Sequence, residues 1–435
     1  MSQRNYRDPL HNIISLNESA PEDRLLVDLI DSAEFQRLRR IKQLGLAMFT
    51  YQGAEHSRFT HSLGVMHLMT RALGQLALQR EISAEEHLVG RTGALLHDLG
   101  HGPFSHLIEK VFGLKHEEWT RRIILDTSTE VNQILTDYDA SLPARLASLY
   151  NHEYSPPFVV QLVSSQLDCD RMDYLLRDSM MTGVKYGVYD LEWVLHALKI
   201  DESSGHIYVE SKGLHAIEEY LQARYYMFRQ VYFHRTLRAA EALLTSALTR
   251  ARELAGSSGG VFHGGVFRKM LTGEPADTSE FLQLDDTDLL FNLKQWVHDR
   301  DPVLSDLARR FVNRRLFKAS DIDMASDLVP EFLNRAAEVV SRSGFDPLYY
   351  LIQDKASDIP YYGYYLPGIP EPGGQIYVEI AGPQAEIKEI SEVSAVVRGM
   401  KAYKIERICY PAELSAEIGK VLVEMSKTTD RAAGG

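Results

Sequence analysis

The sequence predicts a mainly α-helical fold, with a helical core followed by a small C-terminal α/β region. Apolar residues recur at three- and four-residue steps through the first two thirds of the chain, the spacing of one helix face. No alternating β pattern of comparable length occurs there. After about residue 345 the composition changes to tyrosine-rich and Pro-Gly-rich segments around short apolar runs. We therefore predict a helical core over 1–345 and a small α/β region over 346–435.

Local signals bound the individual elements. The apolar spacing predicts, in chain order, helices over 61–78, 86–99, 158–179, 213–254 and 279–341. Gly100 is a stop signal for the second of these, and Gly102-Pro103 predicts the start of a further helix. In the C-terminal region, 376–380 and 407–410 are predicted as strands that flank a helix near 387–399.

Composition excludes several classes of protein. The chain has 435 residues, with 47 Lys and Arg against 60 Asp and Glu, and a formal net charge of −13. This charge argues against a nucleic-acid-coating surface or an anionic-lipid binder. No apolar run approaches the roughly 18 residues of a membrane span, and the two cysteines cannot form a disulfide framework. We expect a cytoplasmic protein without a membrane or nucleic-acid partner. A phosphorylated ligand remains compatible, because Arg37, Arg39, Arg40 and Lys42 form a local basic cluster.

Four side chains suggest a metal site: His61, the dipeptide His97-Asp98, and Asp170. His97-Asp98 closes an apolar helix just before Gly100, so both side chains can project where the backbone turns away. Two imidazoles and two carboxylates suit Mn²⁺, Fe²⁺, Ni²⁺ or Zn²⁺ better than Ca²⁺. The alternative is that each histidine is an ordinary core or surface residue with a hydrogen-bond partner.

Longer motifs around these residues resemble a known family. The strings FQRLRRIKQLG, SRFTHSLGV, LLHDLGHGPFSH and DRMDYLLRD, within residues 5–240, resemble the HD-domain phosphohydrolase superfamily and its deoxynucleoside triphosphate (dNTP) triphosphohydrolases. The resemblance implies a helical HD-domain core that hydrolyses a dNTP to deoxynucleoside and inorganic triphosphate. It also implies one divalent cation per active site (Mn, Fe, Ni, Zn or Mg), Mg²⁺ bound with the nucleotide, and a homodimer or homotetramer.

Site residues follow from the resemblance by position. His61, His97, Asp98 and Asp170 match the metal ligands, and His101, His116 and Glu109 match the catalytic group, with Glu109 where the family commonly has Asp. Which histidine is the general acid stays open. The substrate-contacting positions are Gln43, Leu44, Arg58, His106, Arg171, Tyr174, Asp178, Arg224 and Tyr232. Among these, Tyr174 packs on the sugar and Asp178 takes the 3′-hydroxyl, while Gln43 and Leu44 lie at the 3′ and 2′ positions.

A second nucleotide site is implied in the same way. Asp31, Gln36, Arg39 and Lys212 match an allosteric site between subunits that binds GTP or dGTP. An Asp acceptor and an Arg donor complement the edges of guanine. Glu210, however, stands where the family has a basic residue.

Two other functions compete with dNTP hydrolysis. An HD phosphohydrolase could act on another nucleotide or on a nucleic-acid end, and it would then accept a ribonucleotide or an oligonucleotide equally well. A catalytically silent nucleotide sensor would bind and oligomerise without turnover. The presence of all four ligand positions and of His101 weighs against the sensor, which has no need of a water-activating cation.

Overall fold

The computed structural model describes residues 3–256, 260–359, 361, 374–382 and 386–433, without the side chains of His106 and of 427–433. The fold is mainly α-helical, which confirms the predicted class. Within these ranges, no helix has the length and apolarity that a membrane crossing requires.

Helices account for most of the described chain. The N-terminal helices are α1 (Pro21–Asp31), α2 (Ala33–Arg37), α3 (Arg58–Leu76), α4 (Ala84–Leu96), α5 (His106–Phe112), α6 (His116–Leu125), α7 (Glu130–Tyr138), α8 (Leu142–Tyr150), α9 (Pro157–Val163), α10 (Cys169–Thr182), α11 (Leu191–His196) and α12 (Leu214–Met227). The later helices are α13 (Arg235–Ala255), α14 (Phe267–Thr272), α15 (Thr278–Phe281), α16 (Asp286–Trp296), α17 (Pro302–Val312), α18 (Val329–Arg342), α19 (Pro347–Tyr350), α20 (Ile390–Val393), α21 (Ala395–Gly399) and α22 (Ser415–Ala433).

Three small sheets accompany the helices. The strands are β1 (Gln3–Asp8), β2 (Asn12–Asn17), β3 (Leu198–Ile200), β4 (Ile207–Val209), β5 (Lys318–Asp321), β6 (Ile352–Asp358), β7 (Tyr377–Ile380), β8 (Glu386–Glu389) and β9 (Tyr403–Tyr410). β1 and β2 form an antiparallel hairpin, in which Asp8 pairs with Asn12 across the turn. The other sheets have the orders β3-β4-β7-β8 and β5-β9-β6.

Two of the predicted helices are interrupted near the site. The helix predicted over 158–179 is split into α9 and α10, because Asp168 starts α10 by accepting a hydrogen bond from the Arg171 backbone N–H at 2.7 Å. The helix predicted over 213–254 is split by a π-helical turn at Phe228–Tyr232. The helix predicted to start at Gly102-Pro103 begins later, at His106, since Phe104 and Ser105 have φ of 48° and 51°.

The C-terminal strands are shared with the preceding helical part. β7 pairs in parallel with β4 at Val209–Val378, and β9 pairs with β5 from Lys318–Tyr410 to Asp321–Arg407. Residues on both sides of position 345 therefore build the same two sheets. The boundary at 345 stays a prediction. Residues 362–373, which make up most of the tyrosine-rich and Pro-Gly-rich stretch, lie outside the described residues.

Two hydrophobic cores position the site. The first joins β2, α1–α4 and α6–α12, and it includes Leu96, Leu99 and Met172, which neighbour the predicted metal ligands. The second joins α13, α14, α16–α19, β9 and α22, and it takes Phe104, Leu107 and Ile108 from the segment that follows the HD dipeptide. This segment is thus packed into a different core from the helix that precedes it, which holds the turn between them in place.

Candidate active site

The four predicted metal ligands converge from three helices. His61 lies in the first turns of α3, His97 and Asp98 directly follow α4, and Asp170 lies in the first turn of α10. His61 Nε2 is 2.9 Å from Asp170 Oδ1 and 3.8 Å from Asp98 Oδ2. His97 Nε2 is 3.4 Å from Asp98 Oδ1 and 3.7 Å from Asp170 Oδ1. Residues that are 109 positions apart in the chain, His61 and Asp170, therefore face one point.

This cluster fits a divalent cation. His97 Nδ1 lies 2.8 Å from the Ala94 carbonyl oxygen, which fixes it as the N–H donor and turns the Nε2 lone pair inward. The inward Nε2 atom is buried, and among the described residues it has no hydrogen-bond partner. One donor atom each from His61, His97 and Asp170 lies within 4.8 Å of the others. An unsatisfied imidazole nitrogen beside carboxylate oxygens is the donor set that Mn²⁺, Fe²⁺, Ni²⁺ and Zn²⁺ prefer.

The electrostatics of the cluster also favour a cation. Burial opposes the charged form of His61, yet hydrogen bonds to Asp170 and Asp173 raise its pKa to about 10. Burial would raise the pKa of Asp98, but Arg58, His97 and His101 outweigh it and hold that pKa well below its usual range. The carboxylates at this point therefore stay ionised, and the field that they create attracts positive charge.

Hydrogen bonds to α6 hold the turn that contains the dipeptide His97-Asp98. Thr120 Oγ1 donates to the His97 carbonyl oxygen at 3.1 Å and accepts from the Gly100 backbone N–H at 2.9 Å. A Cβ atom at position 100 would lie 2.2 Å from the His116 carbonyl oxygen and 2.3 Å from the Thr120 nitrogen. Glycine is therefore required here by close approach of two backbones.

The three predicted catalytic side chains form a second cluster beside the first. The rings of His101 and His116 stack at 3.9 Å with 14° between their planes. His116 Nδ1 lies 2.5 Å from Glu109 Oε1, and His101 Nδ1 lies 3.8 Å from the same oxygen. His101 Nε2 is 3.1 Å from Asp98 Oδ1, so His101 links the two clusters. Burial and the neighbouring Arg58 lower the pKa of His101 well below its ordinary value.

Three arginines approach the site from different directions. Arg58 is buried and donates to Asp98 Oδ2 and to Ser105 Oγ. Arg171 follows Asp170 directly and lies 3.5 Å from Asp168. Arg224, on α12, is buried and lies 3.5 Å from Asp358 Oδ1. Arg58 contacts the ligand Asp98 and Arg171 adjoins the ligand Asp170, so both place positive charge next to the metal ligands, as a phosphate-binding site requires.

The predicted sugar contacts Gln43, Leu44, Tyr174, Asp178 and Tyr232 form one side of the site, the sugar wall. Asp178 accepts from Tyr232 Oη at 2.9 Å, and its other oxygen lies 2.8 Å from His56 Nε2. The rings of Tyr174 and Tyr232 meet edge to face at 6.2 Å. The Gln43 backbone N–H donates to the His56 carbonyl oxygen at 3.0 Å. Gln43 Oε1 is buried and has no hydrogen-bond partner among the described residues, while its neighbour Leu44 packs against the second core. The side chain of His106 lies outside the described residues.

The predicted allosteric residues are only partly together in one chain. Arg39 donates to Gln36 Oε1 at 2.7 Å and lies 3.5 Å over the Phe59 ring, while the nearby Asp31 pairs with Arg4. Lys212 instead lies 3.1 Å from Glu210. No hydrogen bond or ion pair joins it to the other three in the described part of the chain. A site between subunits has this appearance in a single subunit, and these assignments stay predictions.

Several residues at the site were not predicted from the sequence. Asp173 orients His61, and His56 orients Asp178. Asp358 lies against Arg224. Arg37, part of the basic cluster, is buried and donates to the carbonyl oxygens of Leu284 and His101. A hint was available for Asp173, which is one helical turn after Asp170, but not for Asp358, since strand residues of a distant region carry no local signal.

Asp358 leads to a prediction about anion binding. Burial raises its pKa, although Arg224 and Arg171 oppose this, and its carboxylate repels any anion that approaches the same arginines. We expect Asp358→Asn to lower the Kd of inorganic triphosphate about tenfold, which corresponds to about 1.4 kcal/mol. Titration calorimetry on the full chain measures this Kd. Asp327→Asn, at an exposed position, is the control with the same net charge, and equal affinities of the two variants would contradict the prediction.

Comparisons with known proteins show which proteins the chain is similar to. The HD domain profile matches residues 58–178, and the profile of the HD associated region matches 189–259. The uncharacterized protein YwfO of Bacillus subtilis is 40% identical over 413 residues, 94% of this chain and 92% of YwfO. The deoxynucleoside triphosphate triphosphohydrolase SAMHD1 homolog of Dictyostelium discoideum is 28% identical over 79% of this chain and 66% of its own length. The crystal structure of a phosphohydrolase from Bacteroides thetaiotaomicron superposes with a TM-score of 0.79 at 31% identity, covering 94% of this chain and 100% of that chain.

Proposed function

The chain belongs to the HD domain family of phosphohydrolases, and from this premise we propose that it hydrolyses dNTPs to a deoxynucleoside and inorganic triphosphate. One observation carries the proposal. The cluster of His61, His97, Asp98 and Asp170, the stacked His101–His116 pair and the three arginines adjoin a wall with a partly buried tyrosine pair and a buried carboxylate. The similarity to SAMHD1 proteins, described as dNTP triphosphohydrolases, supports the same substrate class.

The reaction requires a water to attack the α-phosphorus while the bond from phosphorus to the 5′ oxygen breaks. His61, His97, Asp98 and Asp170 would hold a divalent cation, which would supply Lewis acidity at this point of the site. Arg58, Arg171 and Arg224 bind and orient the triphosphate. Glu109 accepts a hydrogen bond from His116 and lies near His101, so the His101–His116 pair can deliver a proton to the departing 5′ oxygen. The products are the deoxynucleoside, with its 5′-hydroxyl restored, and triphosphate.

The sugar wall supports a deoxyribose substrate. Gln43 Oε1 needs a donor, and a sugar hydroxyl is such a donor. Asp178 already accepts from Tyr232 and His56, and each carboxylate oxygen has capacity for one more hydrogen bond. Leu44 beside Gln43 offers only an apolar surface, which leaves a ribose 2′-hydroxyl without a partner.

The test measures products directly. Purified protein is incubated with each of the four dNTPs, with Mn²⁺ or Mg²⁺ and with or without dGTP, and the products are separated by ion-exchange chromatography. We expect deoxynucleoside and inorganic triphosphate. Monophosphate with pyrophosphate, or no turnover under every condition, would contradict the proposal. Equal turnover of a ribonucleotide or an oligonucleotide would favour a different HD substrate, and nucleotide-dependent oligomerisation without turnover would favour a sensor.

Leu44 gives a prediction about sugar selectivity. We expect Leu44→Ala to reduce the preference for dATP over ATP about tenfold in kcat/KM, since an apolar side chain excludes a hydroxyl by contact and by lack of a partner. Steady-state kinetics with both nucleotides measures the ratio. Leu78→Ala, at a position that is 79% exposed, is the matched control. An unchanged ratio in Leu44→Ala would remove Leu44 from the sugar wall.

We further propose that a guanine nucleotide activates the enzyme by joining subunits. The exposed Asp31 and Arg39, with Gln36 between them, offer an acceptor and donors to a guanine edge. Light scattering after size exclusion, with and without dGTP, tests this. An increase in molar mass that Arg39→Ala abolishes is expected, and an unchanged mass with dGTP present would contradict it.

A further inference from the structure

Asp173 is a fully buried carboxylate at the back of the metal-type cluster. Its Oδ2 atom lies 2.8 Å from His61 Nδ1 and 2.7 Å from Arg177 Nε. Its Oδ1 atom lies 2.7 Å from His11 Nε2 and 2.9 Å from Arg177 Nη2. A carboxylate has about four acceptor positions, so all the positions of Asp173 are filled by N–H donors.

The full set of N–H donors around Asp173 fixes the tautomer of His61. Because Asp173 can only accept, His61 must present Nδ1 as N–H, and its Nε2 atom is left to face Asp98 and Asp170. In metal sites, a carboxylate that holds the outer nitrogen of a ligand histidine fixes both tautomer and ring orientation.

His11 reaches this carboxylate from the N-terminal hairpin, 162 residues away in the chain. It lies in the turn between β1 and β2, where Asp8 Oδ1 accepts from the backbone N–H groups of Leu10 and His11, each at 2.8 Å. The other oxygen of Asp8 accepts from Arg177 Nη1 at 2.8 Å. The His11 side chain is 3% exposed. The turn is therefore held to α10 at two points, and His11 is one of them.

We propose that the β1–β2 hairpin positions the metal ligand His61, with His11 as the positioning residue that acts through Asp173. Without the His11 donor, Oδ1 of Asp173 loses a partner in a buried environment, and the carboxylate can rotate away from the geometry that aligns His61. The inference rests on the proposed metal site and is independent of the substrate assigned to it.

The test compares two substitutions of His11 in the full chain. His11→Leu removes the donor but retains an apolar side chain, whereas the side-chain amide of His11→Gln can place an N–H near the position of Nε2. Co²⁺ is titrated into metal-free protein, and its visible absorption band reports both the Kd and the ligand field. We expect the Kd of His11→Leu to rise 10- to 100-fold, the typical loss for an outer hydrogen-bond partner, and that of His11→Gln to stay close to the unsubstituted value.

The control is Asn5→Ala, which removes an exposed contact to Ser15 in the same hairpin and does not touch the network. Unfolding in EDTA verifies that each variant is folded, and Asp173→Asn is a second probe of the same step where His11→Leu does not fold. Co²⁺ affinity and absorption that stay unchanged in His11→Leu would overturn the proposal. If His11→Leu does not fold, unchanged values in Asp173→Asn would overturn it. So would equal losses in His11→Leu and His11→Gln, which would show a packing role. Failure of the unsubstituted protein to bind Co²⁺ would overturn both this inference and the metal site.

Discussion

Replacing Asp170 by asparagine is expected to lower kcat/KM for dNTPs at least ~10³-fold, because a bound cation contributes several kcal/mol of transition-state stabilisation. Asp170 Oδ1 is the carboxylate oxygen that lies near both imidazoles, 2.9 Å from His61 Nε2 and 3.7 Å from His97 Nε2. An amide removes its negative charge. Steady-state kinetics and the rise in melting temperature on adding Mn²⁺ measure the two consequences separately.

A matched aspartate distinguishes this effect from a general one. Asp201 lies in a loop and, among the described residues, bonds only to the neighbouring Ser203 and Ser204 side chains and local backbone, so Asp201→Asn should keep both activity and the Mn²⁺-dependent rise. Full activity in Asp170→Asn would contradict the ligand assignment. If the unsubstituted protein turns over no dNTP, loss of the Mn²⁺-dependent rise in melting temperature in Asp170→Asn would still support the metal site.

The substitution with the largest expected effect on stability is Arg177→Met. The Arg177 side chain is fully buried and bonds to both oxygens of Asp173 and to Asp8. Removing it leaves two buried carboxylates without their cation, and breaking a buried pair in this way typically costs about 3–5 kcal/mol. Urea denaturation in EDTA, followed by tryptophan fluorescence, measures the change in the free energy of unfolding.

A second Arg–Asp pair with the same spacing provides the comparison. Arg24 and Asp28 also lie four residues apart on a helix, at 2.8 Å, but their side chains are 57% and 38% exposed. Arg24→Met should leave the urea midpoint unchanged, since solvent and salt screen such a pair. Equal effects of the two substitutions would contradict the view that burial makes the Arg177 network important.

Local sequence was sufficient to predict the helix that contains His61 and the helix that precedes the HD dipeptide, whereas the metal-ligand set stays a prediction. The apolar period placed helices at 61–78 and 86–99, and the structure has them at Arg58–Leu76 and Ala84–Leu96. The strands at 376–380 and 407–410 correspond to β7 and part of β9. Interruptions were harder to predict. The break between α9 and α10 depends on an Asp168 cap in the short segment 164–168, which lies between two stretches of continuous helical spacing. The N-terminal hairpin is too short to show a clear alternating pattern.

For the site, the sequence by itself determined which groups are present: His61, His97, Asp98 and Asp170, with His101, Glu109 and His116 beside them. Their types and their family motif are properties of short strings. Only the tertiary structure decided what lies behind them. His11 meets Asp173 across 162 residues, and Asp358 reaches Arg224 from a C-terminal strand. Such contacts depend on how helices and strands pack, and packing brings together residues whose separation along the chain carries no periodic or local signal.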